Sequence, residues 1–313
     1  MPLPIVYHPD YMAPLKAGHR FPMSKYGYLR ATLQRRGLLP QVGGYLAPSP
    51  APARMLARVH ALEYVERVLT QTCHAAETRE IGLPDTPEVA RRAQLSASGT
   101  TLAARLALDG GVGLNMAGGS HHAGPLGGAG FCVFNDVAVA AQTLLDEGQV
   151  RQIWIFDLDV HQGDGTAKIF SADPRVRTMS VHAANNYPTH KAASDLDVPL
   201  PDGTQDAAYL GAVDGLLASL SPPWPDLVFF NAGVDPHSED RLGRLSVSLA
   251  GLRAREARVL GWCASRSIPV TGVIGGGYSR DPEALAARHA ILFEEAARLW
   301  DGGTAQLAQR ARS

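Results

Sequence analysis

The chain has 313 residues, of which 45% are hydrophobic and 19% charged, and its net charge is −1. This length suits one large α/β domain or two ordinary ones. The near-neutral charge excludes a general nucleic-acid-binding protein or one held on a membrane surface by basic residues. Three widely spaced cysteines, Cys73, Cys132 and Cys263, predict neither a disulfide framework nor a thiolate metal site. With no leader-like start and no apolar run of membrane-spanning length, we expect a cytoplasmic protein.

Alternation of short apolar runs with longer amphipathic stretches is the main pattern along the chain. The first hundred residues predict helices and loops appended to a sheet, with a proline-rich loop at 48–52. Buried strands are predicted at 153–156, 176–181, 227–230 and 269–274. Helices are predicted at 86–108, 136–146, 206–220, 248–264 and 282–299. This order favours a mainly parallel sheet with helices on both faces.

The first chemically informative segment follows the strand at 153–156 and reads DLDVH. On an extended strand, Asp157, Asp159 and His161 would share one face. Two carboxylates so close at the end of a buried strand repel each other unless a cation lies between them. Asp and His together suit zinc or another first-row divalent ion. The alternative is a strand end whose acids cap the next helix or pair with arginine.

A further acidic residue follows the strand predicted at 227–230. Asp235 comes five residues after the 227–230 run, within reach of the same crevice. It would complete an Asp/His/Asp set that leaves a coordination position open for water. Taken alone, an Asp before Pro is more typical of a turn. His237 and Asp240 are nearby polar candidates that read as structural loop residues.

Two glycine-rich segments carry the remaining polar candidates. His121 and His122 follow a glycine pair and could act as general acid and base, with Asp157 and Asp164 orienting them. A histidine pair in a loop is otherwise simply solvated. Tyr278 follows three glycines after the last strand and could donate a hydrogen bond to a developing oxyanion. The alternative is a buried tyrosine with a satisfied hydroxyl.

Together these segments resemble the zinc-dependent histone deacetylase family, which shares its fold with the arginases. The resemblance rests on the ordered motifs GSHHA at 119–123, GFCVFND at 130–136, DLDVHQGDGT at 157–166, NAGVD at 231–235, DRLG at 240–243 and GGGY at 275–278. Two further stretches, at 18–26 and 180–204, look most like the class IV branch and its bacterial relatives. The resemblance implies a single domain over 1–313, built on an eight-stranded, mainly parallel sheet, with a short polar tail from about 301.

The same resemblance assigns roles residue by residue. It implies zinc ligands at Asp159, His161 and Asp235, tandem catalytic histidines at His121 and His122, and a transition-state tyrosine at Tyr278. Asp157 and Asp164 stand behind the two histidines. Gly130, Phe131 and Gly276 match the walls of an acyl-lysine tunnel. A structural potassium ion is implied near Asp157, Ser180 and Val181.

One departure from the family pattern is Gln162, where many deacetylases carry a second histidine; class IV members also have glutamine there. The implied reaction is metal-assisted amide hydrolysis. Zinc polarises the acyl carbonyl and binds the attacking water, and His122 moves the proton. Tyr278 and zinc stabilise the oxyanion, and His121, held by Asp157, acts electrostatically.

Several readings stay open at this point. A binuclear manganese ureohydrolase would share the fold but needs ligands for a second metal. A non-enzymatic acyl-lysine-binding scaffold would be expected to have lost some of these residues. For an enzyme, the substrate is a protein acyl-lysine, an acetylpolyamine or another small amide. The segments expected at the mouth, 117–131 and 182–194, contain no Asp or Glu, which favours acyl-lysine over a polycation. The small residues at 127–129 leave room for acyl chains longer than acetyl.

Overall fold

The computed structural model describes residues 3–39 and 45–310, with side chains as far as residue 299. Seven parallel strands form one sheet in the order β1-β2-β7-β6-β3-β4-β5. The strands are β1 Ile5–Val6, β2 Val112–Asn115, β3 Ile153–Asp157, β4 Val176–Ala183, β5 Leu196–Leu200, β6 Leu227–Asn231 and β7 Val270–Val273. The parallel sheet is confirmed, although the described residues form seven strands rather than the eight expected.

Ten α-helices surround or flank the sheet in the described part of the chain. They are α1 Lys25–Arg35, α2 Ala53–Leu56, α3 Leu62–Thr70, α4 Ala75–Ile81, α5 Pro87–Gly110, α6 Asp136–Asp146, α7 Asp164–Phe170, α8 Asp206–Ser219, α9 Leu249–Ser265 and α10 Pro282–Arg310. The five predicted helices are all present. The last one continues to Arg310, so the backbone is helical where a short polar tail was expected from about 301.

Both faces of the sheet are covered, as the alternation in β3 shows. Ile153 and Ile155 pack with α5, α6 and α7 side chains on one face. Trp154 and Phe156 point to the opposite face and pack in the larger cluster that contains residues of α8, α9 and α10. A strand buried on both faces reads as a continuous apolar run, which is why the sequence revealed β3 and β6.

The carboxyl ends of the central strands define one edge of the molecule. The loops after β2, β3, β6 and β7 all start there, since neighbouring strands run parallel. In open α/β sheets the crevice at this edge is the usual ligand-binding position. The segments singled out in the sequence follow these four strands and the adjacent β4. They are 117–131, 157–166, 182–194, 231–235 and 275–278.

Candidate active site

The carboxylates after β3 organise their own loop. The strand ends at Asp157, so Asp159 and His161 lie in the following turn rather than on one face of a strand, and that detail of the prediction is wrong. Asp157 Oδ1 accepts a hydrogen bond from the amide of Asp159 at 3.2 Å, and Asp159 Oδ1 accepts one from the amide of His161 at 3.0 Å. Each aspartate thus binds the backbone two residues further on, as Asx turns do.

Asp159, His161 and Asp235 converge on one point. Their potential ligand atoms all lie within 4.8 Å of one another, and all three side chains are buried. His161 Nδ1 is 3.0 Å from Asp159 Oδ1 and 3.2 Å from Asp235 Oδ2. Backbone amides hold the carboxylates from behind: Val160 donates to Asp235 Oδ1 at 2.9 Å, and Gly276 donates to Asp159 Oδ2 at 2.7 Å.

This cluster fits a divalent metal ion. Asp235 Oδ2 is buried without a hydrogen-bond partner, although it lies 3.2 Å from His161 Nδ1. A Cβ at Gly276 would lie 2.1 Å from that oxygen, so glycine is needed for the backbone to approach the cluster. One imidazole and two carboxylates are a donor set that zinc accepts. Among the described residues, no second group of three His, Cys, Asp or Glu side chains converges in this way.

The electrostatics of the cluster also favour a cation. Burial, followed by the negative charge of Asp159, raises the pKa of Asp235 to about 7. Burial by itself would lower the pKa of His161, but the carboxylates of Asp159 and Asp235 raise it to about 10. The carboxylates of Asp159 and Asp235 repel each other in one buried space, and a bound cation would remove that repulsion.

The tandem histidines lie beside the cluster, and each has its own carboxylate. His121 Nδ1 is 2.7 Å from Asp157 Oδ2, and His122 Nδ1 is 2.8 Å from Asp164 Oδ1. The two imidazole rings are 4.1 Å apart between centroids. The predicted pairing of each histidine with its aspartate is therefore what the structure shows. Asp164 lies in the first turn of α7, and its other oxygen accepts a hydrogen bond from Lys168 at 2.6 Å.

The two histidines differ in charge. Burial would lower the pKa of His121, but Asp157 and Asp159 raise it to about 9. Burial, followed by the charge of His121, lowers the pKa of His122 to about 3. In the metal-free site these shifts favour a protonated His121 beside Asp157 and a neutral imidazole at His122, the form that a general base requires.

A cavity lined by the predicted tunnel residues leads to this cluster. Gly130, Phe131, Gly276 and Tyr278 line it together with the two histidines and Asp159. Gly130 and Phe131 both have positive φ, +53° and +68°. The strained Phe131 backbone is fixed because its amide donates to the carbonyl of Ile81, the last residue of α4, at 2.7 Å.

Tyr278 is a buried residue of the cavity lining. Its ring is 5.9 Å from Phe131 and 6.3 Å from the His161 ring. Burial and the nearby Asp235 raise its pKa well above the ordinary tyrosine value, so the hydroxyl remains a proton donor. Two backbone hydrogen bonds fix it: its amide donates to Asp240 Oδ2 at 2.6 Å, and its carbonyl accepts from the amide of Arg241 at 3.0 Å.

Sequence reasoning assigned no role to Phe21 or Asn231, although both lie at this site, and it placed Tyr187 and Asp240 near it. Phe21 completes an aromatic cluster with Phe131 and Tyr278. Tyr187, half exposed, packs edge-on against His122 at 4.8 Å. Asn231, the last residue of β6, donates to Asp157 Oδ1 at 3.0 Å. Asp240, predicted to be a structural loop residue, accepts hydrogen bonds from the backbone amides of Leu242, Gly243 and Tyr278. Of Phe21 and Asn231, only Asn231 carried a signal, its place at the end of a buried strand.

Gln162 connects the β3 loop with the segment that carries Tyr187. Its Oε1 accepts from the amide of Ala192 at 2.8 Å, and its Nε2 donates to the Ala192 carbonyl at 2.7 Å and to Asp197 at 2.8 Å. The residue that departs from the common family pattern thus points away from the metal-ligand cluster and anchors the chain after β4.

The residues named for the predicted potassium site lie together in strands β3 and β4. Ser180 pairs with Asp157 in the β3–β4 ladder, and Val181 is its neighbour. The residues are therefore adjacent, and the ion stays a prediction.

The fold and the site define a hydrolase of a known family. The sequence profile of the histone deacetylase domain matches residues 19–293, so the chain belongs to the histone deacetylase family. An uncharacterized protein of Picosynechococcus sp. is 44% identical over 297 residues, covering 95% of this chain and 99% of the relative. Histone deacetylase 2 of Arabidopsis thaliana is 29% identical over 279 residues, covering 86% of this chain and 72% of the relative.

A solved structure shows the same fold. The crystal structure of the HDA15 HD domain superposes with a TM-score of 0.79 at 24% identity, covering 95% of this chain and 89% of the other. None of the described helices combines the length and the apolar character that crossing a membrane requires.

Proposed function

We propose that the protein is a zinc-dependent deacylase that hydrolyses the amide of an acylated lysine side chain. The observation that carries this proposal is the convergence of Asp159, His161 and Asp235 beside two carboxylate-bound histidines, at a cavity whose lining includes Asp159, both of those histidines and Tyr278. All the residues proposed for this reaction are present in the chain, which favours an enzyme over a non-enzymatic scaffold. The single metal-ligand cluster of the described residues argues against a binuclear ureohydrolase.

The three clustered side chains are the groups that would hold the zinc ion. When bound there, zinc supplies a Lewis acid for the acyl carbonyl and lowers the pKa of water. The protein's own contribution is rigidity, because each carboxylate already accepts a backbone amide that fixes its position. Their mutual repulsion is the electrostatic reason for a cation at this point.

His122 is the general base in this proposal. It is neutral, it lies on the cavity wall, and Asp164 holds its Nδ1, so Nε2 is the atom that takes the proton of water and later delivers it to the leaving amine. Asp164 favours the charged imidazolium that forms between these two steps. His121 remains a cation paired with Asp157 and stabilises negative charge that develops on the acyl group.

Tyr278 donates a hydrogen bond to the acyl oxygen as negative charge develops on it. Its raised pKa keeps the proton on the phenol, and two backbone contacts keep the residue in place before the substrate arrives. A donor that is already oriented costs no reorganisation during the reaction.

The cavity favours a lysine side chain as the substrate. Phe21, Phe131 and Tyr278 form an aromatic cluster along its wall, and such a surface suits the apolar methylenes of a lysine side chain. Acetylpolyamine is the second candidate, because one acid stands near the rim. Glu80 is exposed, its carbonyl binds the amide of Gly130, and its charge acts on Tyr187.

The deciding experiment measures hydrolysis of an acetyl-lysine peptide, longer acyl-lysine peptides and acetylspermidine. The protein is assayed as purified, after chelation and after zinc is restored. We expect peptide activity that chelation abolishes and zinc restores, with a higher kcat/KM for peptides than for acetylspermidine. Full activity of the metal-free protein would refute the zinc-dependent mechanism. A clear preference for acetylspermidine would overturn the substrate assignment alone.

A further inference from the structure

Arg255 is a fully buried cation that the proposed reaction does not use. It lies in α9, and neither it nor the adjacent Glu256 has any exposed side-chain surface. Its Nε and Nη2 atoms donate to the two carboxylate oxygens of Glu256 at 2.5 and 2.6 Å. This pairing leaves Nη1 free to bind elsewhere.

Nη1 of Arg255 binds the backbone of both metal-ligand loops at once. It donates to the carbonyl of Leu158 at 2.9 Å and to the carbonyl of Gly233 at 2.6 Å. Leu158 precedes Asp159 in the loop after β3, and Gly233 lies two residues before Asp235 in the loop after β6. One nitrogen atom therefore links the two loops that supply the carboxylates.

The backbone of Gly233 lies directly against the ligand cluster. A Cβ at Gly233 would be 2.3 Å from Asp159 Oδ2, so this backbone already touches the first carboxylate. A change in the distance between the two carbonyls would therefore change the separation of Asp159 and Asp235. Tyr209 in α8 supports the arrangement, since its hydroxyl is 3.4 Å from both Arg255 Nη1 and the Leu158 carbonyl.

A buried ion pair is weak evidence for stability, because desolvation offsets most of the Coulombic gain. Its value lies in geometry. The planar guanidinium presents donors in a fixed fork, so it can bind a carboxylate on one edge and two carbonyls with the remaining nitrogen. Lysine has one nitrogen and cannot occupy all these positions. Because Glu256 neutralises the arginine, the pair adds no net charge that would repel a metal cation.

We infer that Arg255 is a positioning residue that sets the separation of Asp159 and Asp235 and thereby the affinity of the site for its metal. The inference rests on the proposed metal site. Residues that orient metal ligands typically contribute 10–100-fold to affinity, and we expect Arg255→Lys to weaken Zn²⁺ binding by at least about 10-fold.

The test measures Zn²⁺ affinity of the metal-depleted full chain by competition with a chromophoric chelator, and records the absorption spectrum of the Co²⁺ form. Arg255→Lys keeps the charge. Arg255→Met with Glu256→Gln removes both charges together, so that neither is left unpaired. Arg253→Lys is the matched control, because Arg253 lies on the same helix but pairs with Glu294 and Glu295 of α10.

The expected result is weaker Zn²⁺ binding and an altered Co²⁺ spectrum in both Arg255 variants, with the control unchanged and all proteins folded in the metal-free state. Wild-type affinity in the Arg255 variants would overturn the inference while leaving the proposed function intact. Unfolding of both Arg255 variants but not of the control would also overturn it, and Arg255 would then be a residue of the folded core. If the wild-type chain itself bound no Zn²⁺, both the inference and the proposed function would fail.

Discussion

At the scale of single residues, Tyr278 offers a direct test of oxyanion stabilisation. Its hydroxyl is protonated, because burial and Asp235 raise its pKa, and its backbone is fixed by Asp240 and Arg241. Tyr278→Phe removes one donor and leaves the ring packing intact. We expect kcat to fall by roughly 10²–10³-fold with unchanged Zn²⁺ content. Steady-state kinetics with metal analysis checks this, and a wild-type kcat would mean that Tyr278 serves packing alone.

Asp164 tests the assignment of the general base. Burial lowers the pKa of His122, and the Asp164 carboxylate counteracts this by favouring the imidazolium. Asp164→Asn therefore lowers the pKa of His122 further and weakens it as a base. We expect kcat to fall by about 10²-fold and the acidic limb of the pH–rate profile to move to lower pH.

The matched control for this variant is Asp173→Asn. Asp173 follows the same helix, α7, but its carboxylate pairs with the exposed Arg175. Its pH–rate profile should coincide with that of the wild type. An unchanged profile in Asp164→Asn would separate Asp164 from the proton-transferring histidine.

At the scale of secondary structure, the contact between α5 and β2 depends on one glycine. A Cβ at Gly113 would lie 1.9 Å from the carbonyl oxygen of Ala103, so an alanine there fits only if the helix and the strand are distorted. We expect Gly113→Ala to lower the free energy of unfolding by about 3 kcal/mol or more. Gly211→Ala is the control, because nothing lies near that position on α8.

Denaturant unfolding compares the two glycine variants. Alanine in the open α8 position should be neutral or stabilising by up to about 1 kcal/mol, because it reduces the entropy lost on folding. Equal stability of Gly113→Ala and Gly211→Ala would show that the α5–β2 contact relaxes at no cost.

The burial and composition of each strand explain which strands could be predicted from the sequence. Strands β3, β6 and β7 were predicted because their apolar runs are buried on both faces. Strand β2 was missed, since its sequence VGLN has only two apolar side chains, whereas β7 lies within the longer apolar run at 269–274. Strand β1 has two residues, and β5 is only partly buried and contains Pro199, so neither has a recognisable pattern. Adjacency in the sheet comes from tertiary packing, which periodicity does not encode.

The residues of the candidate site were easier to predict than the strands that position them. Asp159, His161 and Asp235 carry their chemistry in the side chain, and their positions after buried strands imply convergence. Phe21 was missed because it is an aromatic residue in a segment without a strand, where only the folded chain shows what it faces. Arg255 could not be found either, since a single arginine in an amphipathic helix is normally exposed.

At the scale of the whole molecule, we expect the buried cluster to destabilise the metal-free protein and bound Zn²⁺ to stabilise it. Asp159 and Asp235 repel each other in the metal-free protein, and Zn²⁺ removes that repulsion while tying the loops of β3 and β6 together. Saturating Zn²⁺ at a thousandfold excess over Kd would add about 4 kcal/mol, which raises Tm on the order of 10 °C. Asp235→Asn should lose this response and melt at a higher temperature than the metal-free wild type. Thermal unfolding of both proteins, with chelator and with Zn²⁺, measures the effect. A Zn²⁺-dependent Tm in Asp235→Asn equal to that of the wild type would show that the metal binds elsewhere.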